Sequence, residues 1–279
     1  LCLSILNRIN QMEIKKINSA LISVFYKDGI EDIAAALASQ GATILSTGGT
    51  YDYLTERGFT VEKVEDLTLY PSILGGRVKT LHPKVFGGIL ARRDNPSDRE
   101  QMNEYQIPYI DLVIVDLYPF EEYVAKGAAH QDIIEKIDIG GSSLIRAAAK
   151  NYKDVVIVSD KSQYAALAET IRTQGGCTLE QRYRYAADAF RASSGYDRAI
   201  NEYLAGIEHL TLRYGENPHQ KAEYVGAAGS LPQQLHGKEI SYNNMLDIEA
   251  AVELISDFQE KPTVAVIKHN NACGCAVRE

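Results

Sequence analysis

Tryptophan is absent from the 279 residues, methionine occurs three times and cysteine four. The cysteines, Cys2, Cys177, Cys273 and Cys275, are too few and too scattered for a disulfide framework, and free thiols suit a reducing cytosol. The C-x-C at Cys273 and Cys275 has no nearby partner ligands and reads as ordinary thiols. No apolar run approaches a membrane span, and the opening LCLSILNRINQ is too short and weakly apolar for a signal peptide. An excess of positive charge is missing too. Lys and Arg number 29 against 37 Asp and Glu, a net charge of −8, which argues against general nucleic-acid binding. Any anionic ligand must be held by local cations and backbone N–H groups. Internal repeats, low-complexity tracts and coiled-coil heptads are also lacking.

What remains is an ordinary globular composition, 45% hydrophobic and 24% charged, with length for one large core or two modest ones. Met12 is read as the natural start, and residues 1–15 as a poorly ordered extension. ALISVFY (20–26) is a compact apolar run and predicts a strand. Ile30, Ile33, Ala34 and Leu37 then recur at helical spacing up to Gly41. ATILS (42–46) predicts a second strand, YDYLTERG a short helix and FTVEKVE a third strand. Strand–helix alternation of this density predicts an α/β fold with a parallel sheet and right-handed crossovers. Residues 66–91 hold glycine pairs and prolines and predict a long loop or hairpin. Rhythm returns with a central strand at Leu112–Val115, helices near 121–126 and 130–137, a strand VVIVS (155–159) and two further helices. Beyond Gly206 the pattern changes to a polar TLRYGENPHQ, then ISYNN, a helix over 247–258 and a buried-reading strand TVAVIKH (263–269). A strand of that kind ten residues from the end reads as an unfinished second domain.

Open α/β sheets bind ligands beyond the carboxyl ends of their strands. Five stretches fall at that edge: Ser23 to Lys27, Thr47-Gly48-Gly49-Thr50, Arg77-Val78-Lys79-Thr80, Asp116-Leu117-Tyr118, and Asp138-Ile139-Gly140-Gly141. In GGRVKTLHP the alternate cations Arg77 and Lys79 can reach one ligand, which suits a phosphate or a developing oxyanion, although a lone R-x-K is more often a solvated basic loop. STGGT places N–H groups at a strand-to-helix turn, where an anion is favoured. Asp138 reads equally as a helix cap, and Tyr118 as a packing residue. Lys150 stands on the helix that follows Asp138, roughly 13 Å beyond the glycines, so sharing a site with Asp138 requires a bend or a long reach.

Together, STGGT, GGRVKTLHP, DLYPF, DIGG and RAAAKN occur in the order found in the inosine-monophosphate (IMP) cyclohydrolase domain of the bifunctional purine-biosynthesis enzyme family, which the chain resembles. RYGENPHQ, SYNN and KHNNACG resemble the start of that family's second domain, the formyltransferase acting on 5-aminoimidazole-4-carboxamide ribonucleotide (AICAR). The resemblance implies a methylglyoxal-synthase-like domain over 16–204 and an incomplete cytidine-deaminase-like formyltransferase domain over 210–279. It implies a nucleotide site of Ser23, Phe25, Tyr26, Lys27, Thr47 to Thr50, Arg77, Val78, Thr80, Val115, Asp116, Ile139, Gly140 and Gly141. It further implies a catalytic set of Lys79, Tyr118, Asp138 and Lys150, and in the second domain Lys268 and His269 for formyl transfer with Arg213 and Tyr214 on the ribonucleotide. Three positions depart from the family's usual pattern. Phe25 stands where relatives often have serine, Asp116 where asparagine is frequent, and Ala272 where proline is usual.

The implied activity is a cyclic-amidine hydrolase, closing the formylated ribonucleotide to IMP with loss of water. It needs no metal or redox cofactor. 10-Formyltetrahydrofolate is the implied co-substrate of the second domain, whose activity is expected to be lost in a chain of this extent. The resemblance also implies a cytosolic protein, small nucleotide ligands, no nucleic-acid or membrane partner, and a homodimer for full-length members. Two other readings share the fold: a regulatory nucleotide-binding module without turnover, and a lyase acting on a small phosphate ester.

Overall fold

The computed structural model describes residues 13–227, 229–230, 233–258 and 261–278. The division of the chain is into two compact units, one up to Ile200 and one from Asn201. Residues 1–12 of the expected N-terminal extension lie outside the described residues, whereas Lys15 and Lys16 form a short strand, β1.

In the first unit, Ser19–Ser23 (β2) runs into helix α1 (Ile30–Ser39), Thr43–Ser46 (β3) into α2 (Gly48–Glu56), and Glu62–Lys63 (β4) into α3 (Val64–Thr68). Helices α4 (Pro83–Leu90) and α5 (Pro96–Glu104) lead to β5 (Leu112–Val115). After it come α6 (Phe120–Ala125), α7 (His130–Ile134), α8 (Ile139–Lys150), β6 (Val156–Val158), α9 (Tyr164–Gln174), β7 (Gly176–Cys177) and the long α10 (Leu179–Ala205). Five strands form one parallel sheet in the order β4-β3-β2-β5-β6. A separate antiparallel pair joins β1 to β7.

Side chains alternate across a strand, and here both faces are apolar. Ala20, Ile22, Ile44, Leu112, Ile114 and Val158 face one core, shared with Ile33 and Leu37 of α1 and Leu167 and Ile171 of α9. Leu21, Leu45, Val113, Val115 and Ile157 face the other, shared with Val85 and Ile89 of α4, Leu144 and Ala148 of α8, and Ala189 of α10. The result is three layers, helices on both faces of a buried sheet. Each of Leu21, Ile22, Leu112 and Ile114 is fully buried, which stabilises the fold by about 1.5–3 kcal/mol per side chain.

Two sequence expectations fail in this unit. The stretch FTVEKVE contributes only two residues of strand, because β4 lies at the sheet edge with charged, exposed Glu62 and Lys63, and Val64 is buried as the first residue of α3. Residues 83–90, expected as loop, form α4. Its proline sits in the first turn, where no N–H is needed, and His82 caps it by accepting the Lys84 N–H at 3.1 Å on Nδ1. The glycines that argued against this helix serve close packing: a Cβ on Gly88 would lie 2.4 Å from the Pro108 carbonyl oxygen.

In the second unit, Ile207–Leu212 (β8) pairs antiparallel with Ala222–Ala227 (β9), and Thr263–Lys268 (β10) with Asn271–Val277 (β11). Helix α11 spans Tyr242–Ser256, starting five residues before the expected 247. Its start was hidden in SYNN, a capping box in which Ser241 and Asn244 satisfy each other's backbone N–H groups. The strand TVAVIKH is exposed on one face, with Val264 at 66% and Val266 at 58%, because it belongs to a two-stranded hairpin.

Candidate active site

The ends of β2, β3 and β5 open into a cavity of about 670 Å³. Sixteen of the nineteen residues expected between Ser23 and Gly141 line it, beginning at the start of α2. Thr47 caps α2 without a side-chain hydrogen bond to its first turn, so the N–H groups of that turn remain presented to the cavity beside Gly49 and Thr50. Thr47 instead gives its hydroxyl to Glu65 at 2.9 Å. Thr50, 3% exposed, ties the rim together: its Oγ1 accepts the Val24 N–H at 3.1 Å and donates to the Val24 carbonyl at 2.9 Å. The Lys27 ammonium donates to the same Oγ1 at 3.1 Å, to the Phe25 carbonyl at 3.2 Å and to the Val24 carbonyl. Burial pulls the Lys27 ammonium below its ordinary pKa, with Asp116 opposing and Lys79 adding to the shift. Lys79 Nζ lies 3.5 Å from where a Gly48 Cβ would stand, at the mouth of α2.

Asp116 ends β5 and is the tie between two strands. Its carboxylate accepts the Phe25 N–H and, at 2.9 Å, the Tyr26 N–H. Each amide has its own carboxylate oxygen, whereas an asparagine would offer a single acceptor oxygen. Burial raises the Asp116 pKa, while those two N–H groups and Lys27 pull it back. Phe25 contributes its ring, edge-on to Tyr118 with centroids 5.9 Å apart, in place of a serine hydroxyl.

Opposite the cations, Tyr118 and Asp138 face the same space. Asp138 caps α8, its Oδ1 accepting the Gly141 N–H at 2.7 Å. A Cβ at 141 would meet Asp138 Oδ2 at 2.5 Å, so any larger residue there displaces the carboxylate. Burial raises the Asp138 carboxyl, the N–H groups of Gly141 and Tyr118 draw it down, Asp116 raises it and Lys79 lowers it. Burial also raises the Tyr118 hydroxyl, and the nearby Asp138 and Asp116 add to that. Ser23, Thr80, Val115, Ile139 and Gly140 complete the lining. Arg77 reaches the rim but is paired with Glu135.

Four expected residues stand apart. Tyr26 turns its hydroxyl to Glu122, which pushes its pKa up to about 12. Gly48 backs onto Lys79 without lining the cavity, and Val78 is spent on a backbone bridge to Ile73. Lys150 is the last residue of α8, exposed, on a continuous helix that puts it about 13–15 Å beyond the glycines, and it does not line this cavity. Residues that sequence reasoning missed are Glu135, Glu65 and Tyr196, whose hydroxyl accepts the Asp138 N–H at 2.9 Å. No local pattern marks them, because each partner lies 18 to 58 residues away.

In the second unit, His269 and Asn270 form the two-residue turn of the β10–β11 hairpin, both with positive φ, closed by the Lys268–Asn271 pair. Asp247 of α11 accepts the Asn270 N–H at 2.7 Å, and Tyr242 at the start of α11 donates to the Tyr214 carbonyl at 3.0 Å. Thus Lys268-His269 and Arg213-Tyr214 are tied to the same helix. The turn is held by Asp247 even though Ala272, not proline, follows it. Cys273 and Cys275 are exposed free thiols. Among the described residues, no group of three or more His, Cys, Asp or Glu is placed to hold a metal ion, and no helix is long and apolar enough to cross a membrane.

Comparison with known proteins matches residues 29–143 to the MGS-like domain and residues 148–279 to the AICARFT/IMPCHase bienzyme. The chain belongs to the AICARFT/IMPCHase bienzyme family. It is similar to the bifunctional purine biosynthesis protein PurH of Bacteroides thetaiotaomicron, 54% identical over 277 residues, covering 95% of this chain and 54% of that protein. PurH of Chlorobium phaeobacteroides is 46% identical over 284 residues, covering 93% of this chain and 54% of that one. The chain therefore spans about half the length of these curated relatives. The crystal structure of ForH matches with a TM-score of 0.59 at 38% identity, covering 67% of this chain and 96% of that one. The match to the MGS-like domain takes in β3, β4 and β5 of the parallel sheet.

Proposed function

We propose that the first unit closes the purine ring, as an IMP cyclohydrolase acting on the formylated ribonucleotide of AICAR. One observation carries the reading: an anion cradle (the first turn of α2, Lys27, Lys79) and an acid–base pair (Tyr118, Asp138) face each other in one cavity. A sensor would need only the first of these. The phosphate sits at the start of α2, and the imidazole extends toward Tyr118 and Asp138. The carboxamide nitrogen attacks the formyl carbon, forming a C–N bond while the formyl C=O becomes an alkoxide. One proton leaves the attacking carboxamide nitrogen and one the formamido nitrogen, whose lone pair forms the C=N bond as the oxygen, protonated twice, departs as water. An amide nitrogen is a weak nucleophile, so holding it near the formyl carbon and moving its protons are the main tasks. Asp138, held by Gly141, accepts from the carboxamide N–H, with Tyr118 beside it. Lys79 stabilises the alkoxide. Gly141's N–H is already given to Asp138, so it is not available to the oxygen, and Lys150 takes no part within its own chain.

The second unit supplies Lys268, His269, Arg213 and Tyr214 toward formyl transfer from 10-formyltetrahydrofolate, with His269 as base and Lys268 on the oxyanion. These 279 residues alone are not expected to carry that reaction. A cytosolic protein that dimerises at full length fits this reading. The test is to incubate the chain with the formylated ribonucleotide and follow IMP by absorbance. Turnover that falls at least about 100-fold in Lys79→Ala is expected, in line with loss of one oxyanion donor. Tight nucleotide binding without turnover would establish the regulatory module instead.

A further inference from the structure

We propose that Tyr196 is a positioning residue that holds Tyr118 and Asp138 in one geometry; this rests on the reading of the first unit as a ring-closing site. Tyr196 lies on α10, far along the chain from both acids, and is 9% exposed. Its hydroxyl accepts the Asp138 backbone N–H at 2.9 Å and donates to the Lys136 carbonyl. The turn leading into α8 is thereby fixed at both of its ends. Its ring meets Phe120 edge-on, with centroids 6.1 Å apart. Phe120 in turn donates its N–H to the Tyr118 carbonyl at 2.7 Å. One side chain therefore touches the two turns that carry the two acids, through its hydroxyl on one and its ring on the other.

The division of labour inside Tyr196 makes the inference specific. An unpaired buried N–H or carbonyl is costly, so the hydroxyl pins the Asp138 turn more tightly than packing alone would. An acid displaced by about 1 Å can lose on the order of 100-fold in rate. The phosphate cradle at α2 touches none of these groups, so binding is separable from chemistry. The other charged groups that act on the pair are Asp116, Lys79 and Asp197, and none of them bonds to the Tyr196 hydroxyl.

The experiment is a double-mutant cycle on the ring-closure reaction. Tyr196→Phe keeps the ring on Phe120 and removes only the hydroxyl. It is expected to lower kcat about tenfold with KM within twofold, as a positioning error of a fraction of an ångström would. In an Asp138→Asn background the same change is expected to lower kcat no further, because interacting residues are not additive. Tyr185→Phe, a half-buried tyrosine of the same helix outside the cavity, serves as the control and is expected to leave kcat unaltered. Losses that multiply across the cycle, or equal losses in Tyr185→Phe, would overturn the proposal. Amide exchange at Asp138 is read in parallel and needs no turnover. If the parent chain closes no ring, the proposed activity fails, and unchanged exchange at Asp138 in Tyr196→Phe would then overturn the positioning role as well. Faster exchange there sustains it.

Discussion

Replacing Gly141 by alanine separates the catalytic role proposed for Asp138 from its structural one. The added Cβ would stand 2.5 Å from Asp138 Oδ2, 2.9 Å from Cγ and 3.0 Å from Oδ1. Ordinary carbon contacts begin near 3.5 Å, so the carboxylate must retreat by about 1 Å. Retreat breaks the 2.7 Å cap on the Gly141 N–H, and losing such a cap costs about 1 kcal/mol. Against this, alanine is favoured over glycine in a helix by up to about 1 kcal/mol. The two terms nearly cancel, so urea denaturation is expected to place Gly141→Ala within about 1 kcal/mol of the parent chain. Turnover is not protected by that cancellation. A shift of about 1 Å in the base is expected to lower kcat by about 100-fold, with KM nearly unchanged because the cradle at α2 is untouched. Ring closure followed by absorbance, beside a urea titration, measures both. Turnover within threefold of the parent chain would refute the placement of Asp138 at the reacting nitrogen. A stability loss of several kcal/mol would refute the cap argument.

Three further outcomes follow from the same geometry. Asp116 has its pKa raised by burial, so its contribution favours the fold at acidic pH and is lost as pH rises from the usual carboxylate range through the raised value; the stability of Asp116→Asn relative to the parent chain is therefore expected to improve between acidic and neutral pH, as urea midpoints at several pH values would report. Arg93 pairs with the buried Asp111 at 2.6 Å and donates to the Ile110 carbonyl at 2.9 Å, so Arg93→Ala is expected to destabilise the first unit by about 3 kcal/mol in the same assay, and a loss under 1 kcal/mol would show the pair to be dispensable. Thr50→Val keeps shape but strands the Val24 N–H and removes one of the three acceptors around the Lys27 ammonium; it is expected to cost about 1–3 kcal/mol and to weaken nucleotide binding in calorimetry, and unchanged affinity would remove Thr50 from the cradle.

Much of this architecture is legible in the residues. Apolar runs at 19–23 and 112–115 are buried on both faces, and that is what marks them as parallel strands. Motifs at strand ends line one cavity because a parallel sheet delivers them to one edge. Where reading failed, the cause was an interaction the local pattern does not display. Gly87 and Gly88 look like helix breakers until Ile107 is packed against the first and Pro108 against the second. SYNN hides a helix start because Asn244 does the work usually given to glutamate or glutamine. Lys150 was drawn into the site by motif order, although a continuous helix carries it away. Tyr196 was invisible for the opposite reason: its value comes from an Asp138 amide 58 residues distant.

The folded-back Lys27 has a consequence for selectivity. Its ammonium is already surrounded by the Val24 and Phe25 carbonyls and the Thr50 hydroxyl. An uncharged sugar hydroxyl arriving there offers nothing those oxygens do not, so it cannot draw the lysine outward. A phosphate dianion makes shorter and roughly twofold stronger charge-assisted bonds, and does so. On the proposed nucleotide reading, the resting hydrogen bonds act as a threshold, and nucleosides or dephosphorylated analogues are expected to be poor competitors for the cavity even when their base and ribose fit.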